Sequence, residues 1–193
     1  MILSAILFFL ITINCIYFYL NLNADQNSYA FNELFVNYQA GFIRRGFLGE
    51  IVWQLNKHFN VNPNVFFSNL FFIIYLGQIF LFYNLIKKFS QFKTIFILIL
   101  LSPSILLFHI YSPNLFFLKD SIIKFVFLLH AFIFYKFYIL EKNAQKYFNY
   151  LKFLIIPILF LIILTHEYQV FSLSLHFLIT LGTARGSIDL KKI

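Results

Sequence analysis

Charged residues are scarce in this chain. They make up 11% of its 193 residues, against about 25% in soluble domains, whereas hydrophobic residues make up 61% and the mean hydropathy is +0.82. This composition excludes an ordinary water-soluble domain. The net charge of +8 is carried by cations that cluster between apolar runs, a pattern typical of membrane orientation signals and not of a nucleic-acid groove.

Cysteine and the common cofactor motifs are nearly absent. Cys15 is the only cysteine and lies in an apolar run, which excludes an internal disulfide and a cysteine metal cluster. The chain has no GxxxxGK phosphate loop, no dinucleotide fingerprint and no serine-histidine-acid set. The segment HEYQV at 166–170 lacks the second histidine of a zinc protease. We therefore expect no metal and no cofactor; a divalent cation is not indicated.

Long apolar runs dominate what remains. Each of the clear ones approaches the roughly 20 residues that cross about 30 Å of hydrocarbon, which predicts an all-α, polytopic transmembrane helix bundle forming one membrane domain over 1–193. The first run lacks a basic start and is interpreted as an uncleaved span. The six predicted spans are about 2–20, 65–86, 94–111, 121–140, 148–165 and 167–183. In the alternative with five spans, one tilted helix over 153–182 replaces the last two.

The segment 21–64 is the longest polar stretch. Two amphipathic patterns, around 31–38 and 47–55, predict helices that lie flat on the membrane surface. Between them the stretch Asn37–Ile51, NYQAGFIRRGFLGEI, contains three glycines and two adjacent arginines. Because Gly41 and Gly46 bracket the pair, the turn between the helices is predicted to present Arg44 and Arg45.

The distribution of lysine and arginine predicts the orientation. The connections after the second and fourth predicted spans and the tail are basic, whereas 21–64 and the connection after the third span are nearly neutral. Basic short loops stay inside, so both termini are predicted in the cytoplasm. The polar groups of three connections then converge on the outer face.

These outer residues are the candidate site. Arg44 and Arg45 suit a phosphate, because guanidinium groups bind phosphoryl oxygens in bidentate fashion; alternatively, the pair anchors a surface helix at lipid headgroups. Lys119 and His166 are the predicted supporting contacts to phosphate or lipid.

Three carboxylates are candidate catalytic bases: Glu167, Asp120 and Glu33. The alternatives are structural. Asp120 begins a helix in which Lys124 lies one turn further on and neutralises it, and Glu167 lies in an ordinary polar turn.

Histidines also occur inside predicted spans, at His130 and His176, and Lys136 lies near an inner end. A single histidine on an apolar face is usually satisfied locally, and a lysine near a span end extends to the headgroups. None of the three is predicted to have a functional role.

The stretch NYQAGFIRRGFLGEI, the LKDS segment and the later THEYQ segment resemble a group of uncharacterised bacterial polytopic inner-membrane proteins of the surface-polysaccharide type. This resemblance implies that the chain lies in the inner membrane of a bacterium. The layout is loosely similar to the GT-C class of glycosyltransferases. That resemblance implies a polyprenyl-phosphate sugar donor and an acidic catalytic residue in the first outer loop, here Asp25 or Glu33. A DxD motif is lacking and six spans are fewer than usual, as in a shortened or truncated member.

The leading hypothesis is thus a membrane protein that binds a polyprenyl-phosphate-linked sugar at its outer face and assists glycosyl transfer or polysaccharide assembly. One alternative is a small transporter or channel subunit. The other is a non-enzymatic assembly protein that docks a multi-span protein partner. Membrane lipid is an expected partner, and nucleic acid is not.

Overall fold

The computed structural model describes residues 2–21, 29–39, 46–86, 118–165, 170–171 and 173–184. Within these residues the chain is helical and contains no strand, which confirms the predicted all-α class. The helices are α1 (Ile2–Asn21), α2 (Tyr29–Leu34), α3 (Phe47–Phe59), α4 (Pro63–Ile86), α5 (Asp120–Leu140), α6 (Ala144–Thr165) and α7 (Leu173–Ala184).

Three of these helices are long and apolar enough to cross a membrane. The qualifying segments are Pro63–Leu85, Asp120–Leu140 and Ala144–Thr165, with 23, 21 and 22 residues. At 1.5 Å per residue each spans roughly 32–35 Å, slightly more than the hydrocarbon core. The third predicted span, 94–111, lies outside the described residues. Helix α6 begins at Ala144, before the predicted span start at 148.

Large apolar side chains cover the outer surfaces of the long helices. Phe80 on α4 is 62% exposed, and Phe153 and Phe160 on α6 are 72% and 63% exposed. Water would disfavour such a dense apolar surface, whereas lipid tails solvate it. The interior is correspondingly formed by the opposite faces of the same helices.

One core cluster joins α2 and α3 to the long helices. Leu34 of α2 and Val52 of α3 pack against Phe67 and Phe71 of α4. Ile122, in the first turn of α5, packs against the same cluster. Helices α2 and α3 are thereby attached to α4 and to the beginning of α5.

The second core cluster lies between α5 and α6. It contains seven buried residues of these two helices, and Leu173 of α7 packs against it; the seven are Val126, Ile133, Phe137, Tyr147, Ile155, Leu159 and Ile162. Tyr147 of this cluster also contacts His130 of α5.

A tight turn connects α5 to α6. Lys142 has a φ of 50°, in the left-handed region, and the Asn143 side chain accepts a hydrogen bond of 2.9 Å from the backbone N–H of Lys146. That bond caps the N-terminus of α6. The Lys146 ammonium is 3.1 Å from Glu141 Oε2 and 4.4 Å from the Phe137 ring centroid. The turn therefore fixes the two helices side by side.

Both helices contain a wide π-helical segment, Phe134–Leu140 in α5 and Leu151–Ile155 in α6. In a π turn the N–H bonds to the carbonyl five residues earlier, as Glu141 does to Lys136 at 3.1 Å. Such turns occur frequently at functional sites. Here they lie on both sides of the α5–α6 turn.

Candidate functional site

Glu50 connects α3 to the chain that precedes the arginine pair. Its Oε1 accepts a 2.8 Å hydrogen bond from Gln54 Nε2, and its Oε2 accepts a 3.1 Å bond from the backbone N–H of Tyr38. These two bonds, that from Gln54 foremost, lower the pKa of the Glu50 carboxyl below its usual 4.5. The ionised carboxylate thus holds Tyr38 at the N-terminal end of α3.

Two glycines allow this close approach. A Cβ at Gly46 would lie 2.6 Å from Cε1 of the Tyr38 ring, and a Cβ at Gly49 would collide with the backbone oxygens of Val36 and Leu34. The predicted role of Gly46 was to bracket a turn; in the structure it is also a packing residue. Gly49, to which no role was assigned, lets α3 lie directly on the 34–36 backbone.

Arg44 and Arg45 lie outside the described residues. Their flanks, however, are fixed to each other, because Gly46 packs against the Tyr38 ring and Glu50 accepts from the Tyr38 N–H. The six residues 40–45 therefore connect two points that are adjacent in space.

The beginning of α5 separates its two charged residues. Lys119 is 3% exposed, whereas Asp120 is exposed. Next to them Gln78 Nε2 of α4 donates a 2.6 Å hydrogen bond to the backbone oxygen of Ser121. Lys119 is thus within the packed contact between α4 and α5, and Asp120 faces outward.

Of the other predicted site residues, the structure describes Glu33. It is half-buried in α2, next to Leu34 of the first core cluster, against which Ile122 of α5 also packs. His166 and Glu167 lie outside the described residues. The convergence of the predicted residues on one face stays a prediction.

A buried polar network joins α5, α6 and α7. His130 Nδ1 is 2.9 Å from His176 Nδ1, and His130 Nε2 is 2.9 Å from the Tyr147 hydroxyl. The two imidazoles are stacked with ring centroids 5.2 Å apart. His130 and Tyr147 are 0% exposed and His176 is 4% exposed. Three polar side chains from three helices thus form one contact inside an apolar core.

Thr180 completes the network. Its hydroxyl donates a 3.0 Å hydrogen bond to the backbone oxygen of His176, and it also hydrogen-bonds the Tyr147 hydroxyl. The Nε2 atom of His176 is buried and has no hydrogen-bond partner among the described residues. It is the one polar side-chain atom of this network that has none.

This network was missed in the sequence because each histidine was considered alone. The two residues are 46 positions apart, and their contact is tertiary. One signal was available: ionisable residues inside apolar spans usually face the bundle interior and pair with one another. Two histidines in different spans satisfy that description.

Comparison of the chain with protein-family models, curated proteins and solved structures gives no match. The described residues also contain no group of three or more His, Cys, Asp or Glu side chains arranged for a metal ion.

Proposed function

We propose that the protein is a six-span membrane protein that binds a polyprenyl-phosphate-linked sugar at its outer face and assists glycosyl transfer or polysaccharide assembly. Arg44 and Arg45 are the proposed phosphate contacts. The observation that carries the proposal is the anchoring of both flanks of this pair by Tyr38, Gly46 and Glu50. A short connection with fixed ends loses less entropy when it closes on a ligand than a free one does.

Charge supports the choice of an anionic ligand. The Glu50 carboxylate, the acidic group nearest to the pair in the sequence, already accepts hydrogen bonds from Gln54 and the Tyr38 backbone. A phosphate is matched by two guanidinium forks better than by ammonium groups. Glu33, Asp120 and Glu167 remain the proposed bases, with Lys119 and His166 as supporting contacts.

The binding test uses purified protein in nanodiscs and three probes: a long-chain polyprenyl phosphate, the polyprenol of equal length, and phosphatidylglycerol. We expect only the polyprenyl phosphate to raise the unfolding temperature. Because a charged hydrogen bond contributes about 1.5–3 kcal/mol, Arg44→Ala or Arg45→Ala should weaken binding roughly tenfold to a hundredfold. Arg→Lys at either position should recover only part of the loss.

Lys57→Ala is the matched control, because Lys57 is an exposed cation on α3 with its ammonium 5.0 Å from the Trp53 ring centroid. The Lys57→Ala protein should bind the polyprenyl phosphate as tightly as the unchanged chain. Equal stabilisation by phosphatidylglycerol would reduce the site to a general headgroup anchor. Normal surface-glycan extension in cells that carry both arginine variants would exclude a role in glycan assembly.

The orientation is tested by cysteine accessibility after replacement of Cys15. Cysteines at positions 44, 120 and 167 should react with an impermeant reagent from outside, and cysteines at 90, 144 and 188 only after the membrane is opened. A cysteine at 167 that does not react from outside would favour the five-span alternative. It would also refute the proposed site, which needs residue 167 at the outer face.

A further inference from the structure

The hydrogens of the buried network between α5, α6 and α7 can be placed in two ways. In one, the Tyr147 hydroxyl donates to His130 Nε2, His130 Nδ1–H donates to His176 Nδ1, and His176 Nε2 carries a hydrogen. In the other, all of these directions are reversed and His176 Nε2 is bare.

Burial decides between the two. A hydrogen on His176 Nε2 would be a buried donor with no acceptor among the described residues, and orphaned buried N–H groups are rarer than under-satisfied acceptors. His130 Nε2 therefore carries a hydrogen and donates it to the Tyr147 hydroxyl. In a neutral imidazole the other nitrogen is then bare, so His130 Nδ1 accepts from His176 Nδ1–H at 2.9 Å. The last nitrogen, Nε2 of His176, is left with a lone pair.

That lone pair lies in the interior of the helix bundle. His176 Nε2 is buried and has no hydrogen-bond partner among the described residues, and the neighbouring ring of Phe127 meets the imidazole edge-on at 5.7 Å between centroids. Among the described residues, the titratable groups that face the pair include Tyr147 and, against it, Tyr138. An imidazole that donates its Nδ1–H is a stronger base at Nε2.

We propose that His176 Nε2 is a proton-binding site in the interior of the helix bundle, with His130 as its partner. When a proton binds to Nε2, the hydrogen on His176 Nδ1 can move to His130 Nδ1. The cation then resides on either ring, and no other atom or electron is exchanged. The site is independent of the proposed lipid-phosphate function and goes beyond it.

With these hydrogen-bond directions the network can bind one proton but cannot conduct it onward. From His130 the next acceptor is the Tyr147 hydroxyl. A phenol oxygen does not hold a second proton near neutral pH. The bound proton is therefore shared by the two histidines and returns by the way it entered.

The test is ¹⁵N NMR of histidine side chains in the full chain, labelled at all five histidines and reconstituted in nanodiscs. At high pH we expect His176 in the Nδ1–H form with a bare Nε2, whereas a free histidine prefers the Nε2–H form. As the pH falls, the signals of His130 and His176 should change together in one step. An Nε2–H form of His176 at high pH would overturn the proposal, as would a pair that stays neutral down to the pH at which the protein unfolds.

Two variants assign the signals. In His176→Asn the side-chain amide N–H replaces the donor to His130 and no basic nitrogen remains, so the shared step should be lost. His58→Asn removes an exposed histidine of α3 and should leave the shared step unchanged. A shared step that survives in His176→Asn would also refute the site. The measurement on the unchanged chain decides the question if His176→Asn does not fold.

Discussion

Replacing Gly49 by alanine tests the contact that holds α3 against the chain before the arginine pair. Within a helix, Gly→Ala ordinarily stabilises by about 0.5–1 kcal/mol. Here the new Cβ would meet the backbone oxygens of Val36 and Leu34, the latter at 2.9 Å. Backbone atoms cannot rotate aside, and overpacking of this kind costs about 1–3 kcal/mol. The sign should therefore reverse, with a net loss of about 1–2 kcal/mol in the free energy of unfolding.

The fluorescence of Trp53 is a direct assay, because it is the single tryptophan of the chain and lies on α3 one turn beyond Gly49. Denaturant unfolding in micelles should show a lower midpoint for Gly49→Ala. Gly77→Ala is the matched control: its Cβ would lie 2.6 Å from Cε2 of the Phe125 ring, a side chain that can turn, so the loss should be smaller. An unchanged or higher stability of Gly49→Ala would refute the reasoning, and an equal loss in both variants would refute the distinction between backbone and side-chain obstacles.

Three further predictions concern single side chains. The pKa of Glu50 is lowered by the hydrogen bonds from Gln54 and a backbone amide. The stabilisation that the Glu50 carboxylate contributes is therefore present above the pKa of the unfolded state and is lost as the pH falls through the lower pKa of the folded state. Tryptophan fluorescence should report this acid transition, and Glu50→Gln should remove it. Asn143→Ala should cost about 1 kcal/mol of unfolding free energy through loss of the α6 cap, whereas Asn143→Asp, which keeps the acceptor, should cost little; equal losses would argue against capping. Tyr147→Phe should cost about 1–3 kcal/mol of unfolding free energy, because the buried His130 Nε2–H would lose its acceptor. Tyr150→Phe, at an exposed position, is the control in the same thermal unfolding experiment.

Features of the fold that depend on local hydropathy could be predicted from the sequence, whereas contacts between residues far apart in the chain could not. Apolar runs predicted the helical class and the long helices α4, α5 and α6, because local hydropathy and length decide both. The burial of Lys119 depends on how α5 packs, and adjacent charges such as Lys119 and Asp120 differ only through that packing.

The candidate site shows the same division. Composition identified the stretch Asn37–Ile51 as unusual, but the reason for two of its glycines is the contact with Tyr38 and with the backbone of Val36. The Glu50 bond to Tyr38 spans twelve positions and has no sequence signature. The buried network of His130, Tyr147 and His176 is formed by residues of three helices. The sequence of any one of these helices therefore does not predict it.

The π segment of α6 has a consequence for which changes in chain length the protein can tolerate. At about 100° per residue, an unbroken α-helix would place Leu154 on the same side as Tyr147. In the structure Leu154 is 36% exposed and Ile155 is 0% exposed, because the wide turn over Leu151–Ile155 accommodates one additional residue. Deleting one residue there, such as the exposed Phe153, would convert the turn to α-helix and keep Tyr147 in phase with the buried residues beyond it. A deletion within Ile156–Thr165 would instead rotate the remainder of the helix by about 100°.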